Sequence, residues 1–190
     1  MKLLISLLPL LLAAGVARSA TVVYTANLNG SSEFPANASP GQGFATVTVD
    51  TILKTMEVNV VFSGLQGNVT ASHIHALTAI AGSGTAGVAT MTPTFAGFPS
   101  GVAAGSYDHT FDMTLTSSYN SAFITSHGGT AASALAALEA GMADGKSYLN
   151  IHTSAFGGGE IRGFLVPEPA TGSMLAVACA ALACYRRRHR

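Results

Sequence analysis

Six histidines are spread over 190 residues, and three of them are spaced for a shared task. In Ser72-His73-Ile74-His75 two imidazoles stand at i and i+2, so they point the same way if the segment is a strand. A third, His152, belongs to SYLNIHTSAFGGGEIRG, running from Ser147 to Gly163. Alternation there sets Tyr148, Asn150 and His152 on one face of a strand and Leu149, Ile151 and Thr153 on the other. Two imidazoles from one strand and one from a neighbour form a donor set that copper and zinc accept. Glu160 could add a fourth ligand or steady one imidazole from behind, with Arg162 pairing to it. The leading reading of these residues is plainer: a hydrogen-bonded polar patch that pins sheet register. Copper or zinc binding by His73, His75 and His152 is the alternative.

Other chemistry finds little support. A serine nucleophile would need an activating elbow, and no GxSxG occurs. Asp108 and Asp112 are the nearest thing to a glycosidase carboxylate pair, but on a strand they read as a solvated face. No glycine loop opens a helix to cradle phosphate. His109 falls among core-facing positions and reads as a satisfied core histidine, and His127, before Gly128-Gly129, reads as a loop or helix-end residue. The domain is therefore expected to be non-enzymatic. Between Thr21 and Leu165 the bases are Lys54, Lys146 and Arg162, set against eight acids, a net charge of minus five. Such a surface repels phosphate backbones, which excludes nucleic acid as a partner.

The elements that must position the histidines are strands. Thr21 to Asn29 is rich in β-branched residues and reads as the first. Phe44 to Asp50 and Lys54 to Leu65 both alternate, and the tight connection between them predicts an antiparallel hairpin. Gly105 to Thr116 alternates Tyr107, His109, Phe111, Met113 and Leu115 against polar partners. The segment from Ala79 to Phe98 has no clear period, although 87 to 91 could be a strand. Asn120 and Thr130 are placed to cap two helical stretches, the second ending at Gly145. Gly157, Gly158 and Gly159 reverse the chain between the two arms of the histidine-bearing hairpin. The expected architecture is all-β: an antiparallel sandwich or flattened barrel of the immunoglobulin or superoxide dismutase type, with one short helical excursion.

The ends read as addresses. Lys2, the apolar run Leu3 to Leu12 and the small-residue stretch to Ala20 have the layout of a secretory signal peptide over residues 1–20. At the other end Val166-Pro167-Glu168-Pro169-Ala170-Thr171 precedes a hydrophobic segment at 172–185 and a basic stop, Arg186, Arg187, Arg188, His189 and Arg190. From Ala170 to Tyr185 the run is 16 residues, short of the ~20 that span a bilayer comfortably, and arginine side chains reaching outward make up part of the deficit. Positive charge after it keeps the terminus cytoplasmic. Both cysteines, Cys179 and Cys184, lie in this tail, about 140° apart around a helix, so they cannot bridge each other. The expected body, 21–165, has none and must be held by its core.

Taken together, VPEPAT, the hydrophobic helix and the arginine cluster closely resemble the PEP-CTERM sorting signal of Gram-negative bacteria, covering 166–190. That resemblance implies export through the secretion translocon and an intermediate held in the inner membrane by the helix. It further implies cleavage by an exosortase near Pro167 to Pro169 and delivery to the cell surface or extracellular matrix. The body resembles a chordin-type CHRD domain. The resemblance is carried by Ala26-Asn27-Leu28-Asn29-Gly30 with Glu33 and Pro35, Gly43-Phe44-Ala45, Phe62-Ser63-Gly64-Leu65 ahead of His73-Ile74-His75, and above all Asn150-Ile151-His152-Thr153 with Gly159-Glu160-Ile161-Arg162-Gly163. It implies a β-sandwich module of exported proteins with a structural, adhesion or ligand-binding role, meeting an extracellular polysaccharide or surface protein. This chain departs from the family pattern at Ala36, where a second proline is usual, and at Ala76-Leu77, where glycine or a cysteine pair follows the histidines.

Overall fold

The computed structural model describes residues 21–168. The expected signal peptide at 1–20, Pro169 of the expected sorting motif, the hydrophobic segment at 172–185, both cysteines and the arginine cluster lie outside the described residues. Among those described, no helix is long and apolar enough to cross a membrane.

Among the described residues eight strands make one antiparallel sheet. They are β1 (Thr21–Asn29), β2 (Gln42–Asp50), β3 (Thr55–Ser63), β4 (Val69–His75), β5 (Gly105–Asp112), β6 (Tyr148–Thr153), β7 (Ile161–Phe164) and β8 (Val166–Pro167). Their order across the sheet is β4-β6-β7-β1-β2-β3-β5, with β8 added to β1. The β2–β3 hairpin forms where alternation placed it. Asp50 Oδ1 accepts from the amides of Ile52 and Leu53 at 2.8 Å each, an aspartate-built turn that leaves Lys54 at a φ of +57°. Ala45, Val47 and Val49 face Met56, Val58 and Val60 from the buried side, and all six are essentially inaccessible.

The all-β expectation holds, and of the two expected forms, sandwich or flattened barrel, the curled single sheet is nearer the second, with its two halves facing each other as sandwich layers do. The reason is β1, which is hydrogen-bonded to β2 on one side and to β7 and β8 on the other. Curling, as twisted strands must, brings the two halves together. Leu149, Ile151 and Ile161 from one half share a single core with Val47, Val58 and Phe62 from the other. At Gly163 the curl brings β7 so close to β1 that a Cβ would collide with the Asn27 carbonyl.

Two helices complete the core, α1 (Ser121–Ser126) and α2 (Ala131–Ala143). Asn120 caps the first by accepting from the Ala122 amide at 2.9 Å. Thr130 caps the second and forms a reciprocal box with Ser133. Leu135, Leu138 and Met142 of α2 are buried in the common core. His109 corrects an expectation: it lies between Tyr107 and Phe111, with ring centroids at 6.1 and 4.6 Å, but it is exposed rather than buried. Its strand, β5, is the last in the sheet, and nothing covers its middle.

Candidate metal centre

Strand pairing assembles the three histidines. In β4, His73 and His75 are i and i+2 and share a face. The β4–β6 register sets Ala71 opposite His152, His73 opposite Asn150 and His75 opposite Tyr148. His152 is thus a diagonal neighbour of His73, within reach of a long side chain. A register shift between Val69 and Ala71, the mark of a bulge at the rim of a site, precedes this run. One ligand nitrogen from each of His73, His75 and His152 lies within 4.8 Å of the others. The ring centroids are 5.8 Å apart for His73 and His75, 5.4 Å for His73 and His152, and 6.1 Å for His75 and His152. None of the three ring pairs is stacked face to face.

Each ring is fixed from behind by the main chain. His73 Nε2 donates to the Pro93 carbonyl at 2.7 Å, His75 Nδ1 to Ala86 at 2.9 Å and His152 Nδ1 to Gly157 at 2.9 Å. A carbonyl can only accept, so these contacts set the tautomers and leave a lone pair on His73 Nδ1, His75 Nε2 and His152 Nε2. Those three nitrogens are buried and have no partner. Burial holds all three imidazoles below the ordinary histidine pKa, His75 down to about 4, although the backbone hydrogen bonds pull the other way. At neutral pH the cluster is therefore three uncharged donors, the form a metal requires. His73 and His75 are buried and His152 is half-buried, which makes His152 the solvent side.

The polar face around them is covered, not open. Tyr148 stacks on His75 with centroids 4.8 Å apart and planes 3° from parallel. Beyond Asn150 stands Arg162, its register partner on β7, with its guanidinium 4.7 Å from the Tyr148 ring centroid. Arg162 donates to the carbonyls of Ser32 and, at 3.0 Å, Gly84. The segments 30–37 and 76–104 close over this face and supply carbonyls to its side chains, Ser32 and Gly84 to Arg162, Pro93 to His73 and Ala86 to His75.

Glu160 stands apart from this arrangement. Its carboxylate accepts from Ser39 Oγ at 2.6 Å, the Gln66 amide at 2.6 Å, the Gly67 amide at 3.1 Å and Thr153 Oγ1 at 2.7 Å. Burial alone would raise its pKa, but these four donors outweigh it and hold the group below the usual range. Thr153 belongs to the face opposite His152, so the expectation of Glu160 as a ligand or a support for an imidazole is corrected. The residue ends the glycine turn before β7 begins, and its side chain turns away to fasten loops. Arg162 likewise pairs with Glu33, at 3.8 Å between Nε and Oε2, and not with Glu160.

Some partners escaped the sequence. Asn150 and Tyr148 were visible on the His152 face but carried no assigned role, and the carbonyls of Ala86 and Pro93 come from a stretch with no periodicity. In the sequence Glu33 stands out only as part of a motif. His127 ends α1 as expected, its Nδ1 donating to the Phe123 carbonyl at 2.9 Å. Asp108 and Asp112 are both exposed, in line with a solvated face. Val166, Pro167 and Glu168 of the expected sorting motif are exposed in side chain, yet their backbone is laid on β1, with the Glu168 amide donating to the Val23 carbonyl at 2.8 Å.

A curled antiparallel sheet that buries a triad of neutral imidazoles on one face defines an all-β module with a candidate metal centre. Residues 24–165 match the sequence profile of the CHRD domain, and the chain belongs to that family. No curated protein and no solved structure matches it.

Proposed function

We propose that this chain is an exported, non-enzymatic CHRD module that binds a divalent transition-metal ion, zinc or copper, through His73 Nδ1, His75 Nε2 and His152 Nε2. One observation carries the reading: three buried nitrogens without partners, drawn from two strands and each backed by a hydrogen bond to a carbonyl. A register-pinning patch would join its polar groups to one another, whereas these groups all present lone pairs to the same space. Metal ligands with a fixed second nitrogen follow this pattern. Bonds of about 2.0–2.1 Å in a tetrahedral site draw ligand nitrogens to roughly 3.3 Å, so closure asks for small ring movements only.

The test is thermal unfolding of the full chain with and without zinc or copper(II). At a hundredfold excess over Kd, one site adds about 2.7 kcal/mol, a rise of several degrees in Tm. The double variant His73→Ala, His152→Ala should lose this rise. An equal rise in the double variant would retire the centre.

The sorting reading rests on the VPEPAT tail, with the secretion translocon and an exosortase as processing partners and the cell surface or matrix as the destination. There the domain serves a structural, adhesion or ligand-binding role. Changing Pro167-Glu168-Pro169 to alanines should leave the chain in the inner-membrane fraction. Release of that variant to the surface as efficiently as the parent would sink this part.

A further inference from the structure

We propose that Asn150 is the fourth donor of the centre, its amide oxygen facing the ion that the three imidazoles hold. This deepens the metal-binding reading and rests on it. Asn150 sits directly opposite His73, with His75 two positions along β4 and His152 two positions along β6, in opposite directions. An ion shared by the three rings therefore lies over the His73–Asn150 pair. Side chains of one face crowd together at such a pair.

The oxygen itself is the second observation. Asn150 is 2 % exposed, and its Oδ1 is buried with no hydrogen-bond partner. The same condition holds for the three free imidazole nitrogens. Four buried acceptors on one sheet face without a donor each carry the desolvation cost of an unpaired polar atom. A cation satisfies all four together.

The buried carboxylates are not grouped with the three imidazoles, although Glu33 Oε1 also lacks a partner. The Glu160 carboxylate is held by four donors on the other face, and Glu33 lies against Arg162. The resulting set, three imidazoles and one amide oxygen, is uncharged. Its oxygen is a harder donor than nitrogen and favours zinc(II) or copper(II) over copper(I).

The experiment measures zinc affinity and the visible spectrum of the cobalt(II)-loaded full chain for the parent, Asn150→Leu and Asn150→Asp. Leucine has nearly the same shape and removes the unpaired oxygen. It should weaken zinc binding at least tenfold while the metal-free Tm stays level or rises. Aspartate should strengthen binding, and both changes should alter the cobalt bands, because a first-sphere atom has changed. Unchanged cobalt bands in both variants would overturn the proposal, since an oxygen that only accepts from a metal-bound water leaves the first sphere intact. A metal-free Tm that falls in Asn150→Leu with zinc affinity intact would overturn it in favour of a structural role. If the parent binds no more zinc than His73→Ala, His152→Ala, the metal reading itself has failed.

Discussion

Two buried acids in this domain face opposite circumstances. Glu33 has one carboxylate oxygen 3.8 Å from Arg162 Nε and the other without a partner. Burial raises its pKa from 4.5 to about 7, only partly offset by Arg162. The folded state therefore keeps a proton that the unfolded chain has released. Stability from this group is fully present below 4.5 and is lost as pH rises through about 7. Glu33→Gln should remove that slope and raise the urea midpoint at pH 8 relative to the parent, with little difference at pH 4; parallel curves for the two proteins would refute this. The histidines act in the other direction. Their lowered pKa means that the metal-free protein keeps their contribution above 6.5 and loses it as pH falls through the folded values, His75's at about 4. Glu160 has four donors trained on its carboxylate. Glu160→Gln turns an amide N–H toward one of them and should cost on the order of 3 kcal/mol, read from chemical denaturation. The type and spacing of the histidines were enough to find the triad. The role of Glu160 was not readable, because a residue at the end of a glycine turn can send its side chain to either face.

Among the elements, those with a repeating pattern were the legible ones. The β2–β3 hairpin, β1 and the two capped helices follow from alternation and from Asn120 and Thr130 in the sequence. Thr130→Ala should destabilise the fold by about 1 kcal/mol through loss of the cap, seen as a lower urea midpoint. Gly163→Ala should do far more damage, since no Cβ fits against the Asn27 carbonyl. Periodicity says which face a residue is on but not whether another element covers that face. His109 shares its face with Tyr107 and Phe111 yet is exposed on an edge strand, whereas Tyr148 and Asn150 are sealed in. The sealing comes from 76–104, which bonds along the free edge of β4 through irregular contacts such as Ala89 to Ile74 and Phe95 to Ser72. No alternation announces such a segment, so the carbonyls that orient His73 and His75 could not be foreseen.

At the scale of the whole molecule, strands, helices and the covering segment share one apolar cluster. Unfolding should accordingly be a single cooperative step, with calorimetric and van't Hoff enthalpies in agreement. All-β composition was evident from the sequence. Continuity of the sheet was not, because it depends on β1 being paired along both edges. The pairing of β8 with the first half of β1 brings Glu168 beside Val23, while the imidazoles stand level with Asn29 at the strand's opposite end. Polypeptide thus comes in and goes out at one pole, and the nitrogen triad rides at the other. A carrier protein, a bead or a lipid could be attached at that entry pole and leave the other pole free to meet its surroundings.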